Sequence, residues 1–467
     1  MISALPGTTS AVICSACPTG GHFRKTSRLD LPQLKLMDDI GFGWNIRAEP
    51  ASLFLALAAR RLGRICQTKP WCSRRTGRIH SCCEASALRS RSMLRALNAQ
   101  TSEARALHDA GEVLRAGTLE VGDGFKLYFE EHGVLDGLPA VFLHGGPGAG
   151  CSRRMAQLFD LSKYRVVLLD QRGCGKSKRP GDHTAQLHCN TTWHLVEDLE
   201  ALRDHLQIDK WVVAGGSWGT CLALAYASRH ADRVLAMVLR AVCLFREEEL
   251  GFFLGPGPGA RTVDRDAWRN LTDWLPWITN RTSPRIIAAA FRRAVVGEDS
   301  AMSPRDAMGK WWQWEAKLIT ARDPPALSRQ PLASCSDVEL PPADPPTGPW
   351  QDMLMWLASF FMGNMAVQAL LTMHYVAERA FFLPGFELLD AARLFSFPID
   401  VVHGRNDCIC PVENAKDLVA VAPSATLHVT DAGHSQWDAN NVDAFVRATD
   451  HIATCTDIRS LASCKKK

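Results

Sequence analysis

Beyond about residue 112, short runs of apolar and β-branched residues alternate with segments of helical periodicity. The runs predict strands at residues 126–131, 140–144, 164–170, 211–215, 234–239, 399–403 and 426–430. The segment 192–206 predicts a helix with one apolar stripe, formed by Leu195, Leu199, Leu202 and Leu206. This alternation predicts an α/β protein in which helices cover both faces of a mainly parallel sheet.

The alternation stops between residues 244 and 397. This stretch has helical patterns, no convincing strand and eight of the 14 tryptophans of the chain. Its proline-rich piece at 340–349 favours a surface loop. We therefore expect a core formed by 113–243 and 398–452, with a helical cap at 244–397 inserted between these two parts. A tail at 453–467 follows the core.

The N-terminal residues 1–112 have no sustained apolar period and are rich in Arg and Ser. Residues 1–115 contain 17 Lys and Arg against 8 Asp and Glu, whereas the remainder contains 36 against 41. The segment predicts a disordered basic extension, either a transit segment or sequence that precedes a true start near Met93. The net charge of +4 gives no argument for nucleic acid, and no apolar run approaches the ~18 residues of a membrane span.

The sequence GGSWG at 215–219 follows a predicted apolar strand and opens a predicted helix. This is the context of a G-x-S-x-G nucleophile elbow, where glycines let strand and helix approach closely while the serine hydroxyl points outward. Ser217 is therefore the predicted nucleophile. Taken alone, the pentapeptide is also consistent with a glycine-rich turn that carries an incidental serine.

The sequence HGGPG at 144–148 also ends a predicted strand. An α/β-hydrolase builds half of its oxyanion hole at this position, so we expect the backbone N–H of Gly146, or of Gly145, to act with that of Trp218. Such donors stabilise the negative charge that develops on a carbonyl oxygen during acyl transfer.

Asp407 and His434 each come shortly after a predicted strand, which gives the order Ser, Asp, His of the α/β-hydrolases. We expect His434 to accept the proton of Ser217, and Asp407 to fix the histidine tautomer and stabilise the imidazolium. Asp431 is a rival for the acid, although it precedes His434 by only three residues on the same loop.

With these residues assembled, the chain closely resembles the proline iminopeptidases, which are serine aminopeptidases of the α/β-hydrolase superfamily. The resemblance spans about residues 119–438 and includes DQRGCGKS at 170–177, NTTWHLVED at 190–198 and residues 404–411, besides the two glycine motifs. It implies release of N-terminal proline from short peptides through an acyl-enzyme, without metal or cofactor. The family is usually cytoplasmic, and a genuine transit segment would instead direct the chain to an organelle.

The resemblance also assigns substrate-binding residues. In the family a tryptophan-rich cap helix carries a glutamate that binds the free amine, and WWQWE at 311–315 matches it with Glu315. Cys410 matches a family cysteine close to the substrate pocket. The family's second amine-binding glutamate is missing, because Thr372 occupies its position before the pair His374-Tyr375. Glu378 lies about 240° further around a helix and does not replace it.

The departure at Thr372 keeps a second hypothesis open, an esterase or amidase of relaxed specificity. A third is a non-catalytic ligand-binding protein on the same fold, although neither the predicted triad nor the oxyanion loop is disrupted. An epoxide hydrolase is disfavoured because Ser217 stands where its aspartate nucleophile would be. No nucleic-acid or membrane partner is expected, and the sequence predicts no oligomeric state.

Overall fold

A computed structural model describes residues 105–177, 187–255, 257, 259–275, 283–327 and 365–463. It also describes three short strands near the N-terminus, β1 (Ile2–Ser3), β2 (Ser10–Ile13) and β3 (Arg28–Asp30), which form an antiparallel sheet that the sequence does not predict. The rest of the basic extension up to residue 104, including Met93, lies outside the described residues.

The main sheet consists of β4 (Val113–Glu120), β5 (Lys126–Gly133), β6 (Leu138–Leu143), β7 (Tyr164–Leu169), β8 (Trp211–Gly216), β9 (Val234–Arg240), β10 (Ile399–Gly404) and β11 (Ala425–Thr430). Its order is β11-β10-β9-β8-β6-β7-β5-β4. All neighbouring pairs from β11 to β7 are parallel, and β5 pairs antiparallel with both β7 and β4. The predicted α/β class with a mainly parallel sheet is confirmed.

Sequence reasoning missed β4, which is an edge strand. It exposes most of its side chains and pairs only with β5, so its sequence carries no continuous apolar run. The central strands β8 and β9 are buried along their whole length, which is why they read as unbroken apolar segments.

The helices of the described residues are α1 (Thr192–His205), α2 (Trp218–His230), α3 (Glu247–Leu254), α4 (Arg265–Thr272), α5 (Pro284–Val295), α6 (Pro304–Thr320), α7 (Met365–Ala377), α8 (Leu388–Ala392), α9 (Val412–Val421), α10 (Ala439–Thr454) and α11 (Thr456–Ser463). Helices α1, α2 and α9 contribute to the apolar core on one face of the sheet, and α10 and α11 to the core on the other. Between β9 and β10 the described residues form helices α3 to α8, and this stretch is called the cap below. The predicted loop at 340–349 lies outside the described residues.

The folded domain extends beyond the predicted boundaries at both ends. Before residue 113, Leu107 packs on the apolar core and the His108 N–H donates to the Gln157 carbonyl at 2.8 Å. Within the predicted tail at 453–467, α11 buries Ile458, which is 4% exposed. Both segments are short and mostly polar, so their burial depends on partners elsewhere in the chain.

The two motifs at 170–177 and 190–198 bind each other and hold the cap. Arg172 pairs with buried Asp198 through two hydrogen bonds of 2.9 and 2.7 Å. The side chain of Asn190 donates to the Arg172 carbonyl at 2.9 Å and accepts from the Tyr375 hydroxyl at 2.7 Å. His374 hydrogen-bonds the Asn190 carbonyl at 3.0 Å. These contacts fix α7 of the cap against the core.

Candidate active site

Ser217 occupies a sharp turn between β8 and α2, with a φ of 56° and a ψ of −125°. A Cβ at Gly219 would lie 2.1 Å from the Leu143 carbonyl oxygen, and one at Gly215 would lie 2.9 Å from the Gly219 oxygen. Because these approaches exclude any side chain, both glycines are needed to seat α2 against the sheet. The left-handed φ of a non-glycine residue is a strained conformation of the kind found at functional turns.

The structure brings Ser217, His434 and Asp407 together. His434 Nε2 lies 3.1 Å from Ser217 Oγ, and His434 Nδ1 lies 2.8 and 3.0 Å from the two carboxylate oxygens of Asp407. Ser217 follows β8, Asp407 follows β10 and His434 follows β11. The carboxyl ends of these parallel strands meet at one edge of the sheet. The geometry provides a nucleophile, a base in contact with it and an acid that orients the base.

Charge and burial act in opposite directions on this acid–base pair. Burial alone would lower the pKa of His434, but the charge of Asp407 and its hydrogen bond raise that pKa to about 9. Burial would raise the pKa of Asp407, yet the His434 ring and backbone donors hold it below its usual range. Asp407 Oδ1 accepts the backbone N–H groups of Ile409 and Cys410, each at 2.9 Å. The carboxylate therefore stays charged where it faces the ring.

Asp431 does not share this position. Its side chain is 76% exposed and accepts a hydrogen bond of 3.1 Å from the Asn406 amide. The acid in hydrogen-bond contact with His434 is Asp407.

The loop at 144–148 lies beside Ser217. A Cβ at Gly145 would be 3.3 Å from Ser217 Cβ, and both Gly145 and Gly146 line the same cavity as Ser217 and Trp218. These are the positions predicted for the oxyanion donors.

Sequence reasoning missed Gln171, which joins this loop to the elbow. Its side-chain amide donates to the His144 carbonyl at 2.9 Å and accepts from the Trp218 indole N–H at 2.9 Å. Its backbone N–H donates to His144 Nε2 at 3.1 Å. The signal lay in the motif at 170–177, but a sequence does not show what a glutamine contacts.

A cavity of about 170 Å³ lies above Ser217, between the sheet edge and the cap. This volume is below the ~300–1,000 Å³ of sites for drug-sized ligands. Mostly apolar side chains line it, together with the polar or ionisable residues Ser217, Glu249, Glu315, Gln368, Thr372, Cys410 and His434 among others. The cavity therefore joins the Ser217 hydroxyl to a mostly apolar wall that also carries ionisable groups.

Glu315 is the buried acid of the cap wall in this cavity. Its side chain comes from α6, and burial raises its pKa to about 7 although the Gln368 amide favours the charged form. The Gln368 Nε2 donates to both carboxylate oxygens, at 3.2 and 3.3 Å. Sequence reasoning missed Gln368, because the 53 residues that separate it from Glu315 place the two on different helices.

Thr372 lines the cavity one turn after Gln368, and its hydroxyl donates to the Pro147 carbonyl at 3.5 Å. Glu378 instead pairs with Arg292 at 3.2 Å and is not among the described residues that line the cavity. A second lining acid, Glu249, accepts from Arg246 at 2.7 Å and from the Leu244 N–H at 2.8 Å.

Cys410 also lines the cavity. A hydrogen bond with Cys243 and, to a smaller extent, burial raise the pKa of the Cys410 thiol well above its usual range, so the thiol is neutral. The Cys410 carbonyl accepts from His403 Nε2 at 2.8 Å. The residue thus helps to shape the loop that presents Asp407.

Within the described residues, no group of three or more His, Cys, Asp and Glu side chains is placed to hold a metal ion. Over the same residues, no helix has both the length and the apolar character needed to cross a membrane.

The fold and the hydrogen-bonded serine, histidine and aspartate at its sheet edge define an α/β-hydrolase, and residues 139–282 match the family described as the alpha/beta hydrolase fold. The chain is 38% identical over 337 residues to the proline iminopeptidase of Xylella fastidiosa strain 9a5c, which covers 72% of this chain and 95% of the relative. Identity to the proline iminopeptidase of Xanthomonas citri is 39% over 340 residues, covering 72% and 96%. Identity to that of Arabidopsis thaliana is 37% over 333 residues, covering 71% and 78%. The chain therefore belongs to the proline iminopeptidase family, and the resemblance found in its motifs is confirmed.

Proposed function

We propose that this protein is a serine aminopeptidase that releases proline from the N-terminus of short peptides. The observation that carries the proposal is the position of a buried carboxylate, Glu315, in the same small cavity as Ser217. An exopeptidase needs both groups within one residue's reach, because the free terminus and the scissile carbonyl belong to the same residue. The sequence relatives named proline iminopeptidase support the same interpretation.

In the proposed mechanism, Ser217 Oγ attacks the carbonyl carbon of the N-terminal proline while His434 Nε2 takes its proton. The backbone N–H groups of Trp218 and of Gly146 (or Gly145) stabilise the oxyanion of the tetrahedral intermediate. His434 then donates the proton to the leaving amine, which breaks the peptide bond and leaves a prolyl ester on Ser217. Water, deprotonated by His434, hydrolyses that ester and frees proline.

Glu315 is proposed to bind the protonated imino nitrogen. A carboxylate in a mostly apolar cavity forms a charge-assisted hydrogen bond with such a cation, worth about 1.5–3 kcal/mol. The same bond would be missing for an internal proline, whose nitrogen has no proton to donate. Cys410 is proposed to contact the substrate from the loop that follows Asp407.

The alternative is an esterase or amidase of relaxed specificity. Thr372 favours it, since a site with one free carboxylate selects a cation less strictly than a site with two. For localisation, the family resemblance favours the cytoplasm, or an organelle if the basic extension is a transit segment.

Turnover of prolyl-naphthylamide and of a simple acetate ester separates the two hypotheses. We expect prolyl-naphthylamide to have the higher kcat/KM. We also expect a serine-directed phosphonate to label the wild-type chain covalently and not to label Ser217→Ala. Turnover of the ester alone would favour the alternative, and absence of labelling would exclude a serine mechanism.

A further inference from the structure

We propose that the side-chain amide of Gln368 is the second acceptor for the substrate's imino cation, a specificity role that rests on the proposed aminopeptidase function. A protonated N-terminal proline carries two N–H bonds that diverge from a tetrahedral nitrogen. A carboxylate has lone pairs for both N–H bonds, but two bonds that diverge are better aligned with two separate acceptors.

The contacts of Gln368 fix which way its amide points. Nε2 donates to both oxygens of Glu315, at 3.2 and 3.3 Å. The opposite orientation would place the amide oxygen against a carboxylate, so the ionised acid selects the orientation with Oε1 turned away from it. Among the described residues, none donates a hydrogen bond to this oxygen. Glu315 on α6 and Gln368 on α7 both line the cavity, and Oε1 is the amide atom of Gln368 that the contact with Glu315 does not use.

Two other polar groups of the cavity wall have partners of their own. The Glu249 carboxylate is ion-paired with the Arg246 guanidinium at 2.7 Å and also accepts from the Leu244 N–H, so its charge is already compensated within the protein. The Thr372 hydroxyl faces the Pro147 carbonyl. The Thr372 oxygen keeps its acceptor lone pairs while it donates, so threonine is the rival acceptor. Gln368, one helical turn earlier on α7, differs from it in contacting Glu315 directly.

The same turn of α7 contacts the loop at 144–148. A Cβ at Gly148 would lie 3.1 Å from Gln368 Cα and 3.0 Å from Leu371 Cδ1, so only glycine lets the loop pack this closely. The proposed amine acceptor and the proposed oxyanion loop are therefore built against each other. This arrangement favours a substrate in which a single residue separates the cation from the scissile carbonyl.

The test compares three amide substrates by kcat/KM. The protonated ring nitrogen of prolyl amide offers two N–H groups, and that of N-methylprolyl amide offers one. Tetrahydrofuran-2-carboxamide has an uncharged oxygen at this ring position and offers no N–H there. We expect Gln368→Met to reduce the preference for prolyl over N-methylprolyl amide by about tenfold to a hundredfold, the range for one hydrogen bond to a charged group. Gln368→Glu keeps an acceptor and should retain most of that preference, and Thr372→Val is the matched control on the same helix face.

Two results would overturn the inference while leaving the proposed function intact. If Gln368→Met lowers kcat/KM for both cationic substrates by the same factor, the amide merely orients Glu315. If Thr372→Val abolishes the preference instead, the second acceptor is the threonine. The proposed function and the inference would both be overturned if two results occurred together. The wild-type enzyme would hydrolyse the uncharged analogue with the same kcat/KM as prolyl amide, and Glu315→Gln would change neither value.

Discussion

Glu315→Gln should stabilise the protein above neutral pH while it weakens catalysis. The Glu315 carboxyl is buried, and its pKa is raised from 4.5 to about 7. The folded state therefore holds this proton more tightly than the unfolded chain, and stability is lost as the pH rises from 4.5 to about 7. An amide at this position does not ionise and has no such loss. At 1.36 kcal/mol per pKa unit, the cost of the charged form reaches about 3 kcal/mol at pH 8 and is below about 1 kcal/mol at pH 5.

Thermal unfolding at both pH values measures this cost. We expect the Tm of Glu315→Gln to exceed that of the wild type by a few degrees at pH 8 and by much less at pH 5. The same variant should lose about tenfold to a hundredfold in kcat/KM on prolyl amides, with less effect on an uncharged ester. Glu197→Gln, at an exposed position of α1, is the matched control and should change neither quantity.

An equal Tm difference at the two pH values would show that the change acts through packing rather than through ionisation. Unchanged activity on prolyl amides would show that the cap does not bind a cation. Either result refutes the reasoning for Glu315.

Three further predictions concern the groups around Ser217. Asp407→Asn should lower kcat about 10⁴-fold, because asparagine favours the wrong histidine tautomer. The kcat of Asp431→Asn should stay within about twofold of the wild-type value. If Asp431→Asn is the more damaging change, Asp431 is the acid instead. Because the pKa of His434 is raised to about 9 and only the neutral ring is a base, kcat/KM for an uncharged ester should keep rising from pH 7 to 9, and a plateau by pH 7 would contradict this. Gln171→Leu leaves the buried Trp218 indole N–H without its acceptor, so it should lower the unfolding free energy by about 1–3 kcal/mol and also lower kcat. Denaturant titration measures the first effect and ester kinetics the second. An unaltered kcat would show that the loop at 144–148 holds its position without Gln171.

The main sheet and the residues around Ser217 were predictable because local rules determine them. Buried parallel strands require apolar runs, and the elbow at Ser217 requires glycines where strand and helix meet. The edge strand β4 was missed because it buries few side chains. The basic extension gave no sign of its short strands, since isolated two- to four-residue pairings leave no periodic pattern.

The polar partners around the site were not predictable in the same way. Gln171 and Gln368 act through contacts with residues distant in the chain, and a glutamine in a sequence does not indicate whether its amide is buried. Asp407 was favoured over Asp431 from the sequence, but the hydrogen bond of Asp407 to His434 and the exposure of Asp431 are visible only in the structure. Burial and orientation, which distinguish these residues, arise only when segments distant in the chain pack together.

The most direct test of the account is the analysis of products from a short peptide. The full chain is incubated with Pro-Ala-Ala and, separately, with its N-acetylated form, and the products are quantified by mass spectrometry. We predict one equivalent each of free proline and Ala-Ala from the first peptide, none from the acetylated peptide, and none from either with Ser217→Ala. Equal cleavage of the acetylated peptide, or no proline from a chain that still hydrolyses esters, would contradict the proposed aminopeptidase.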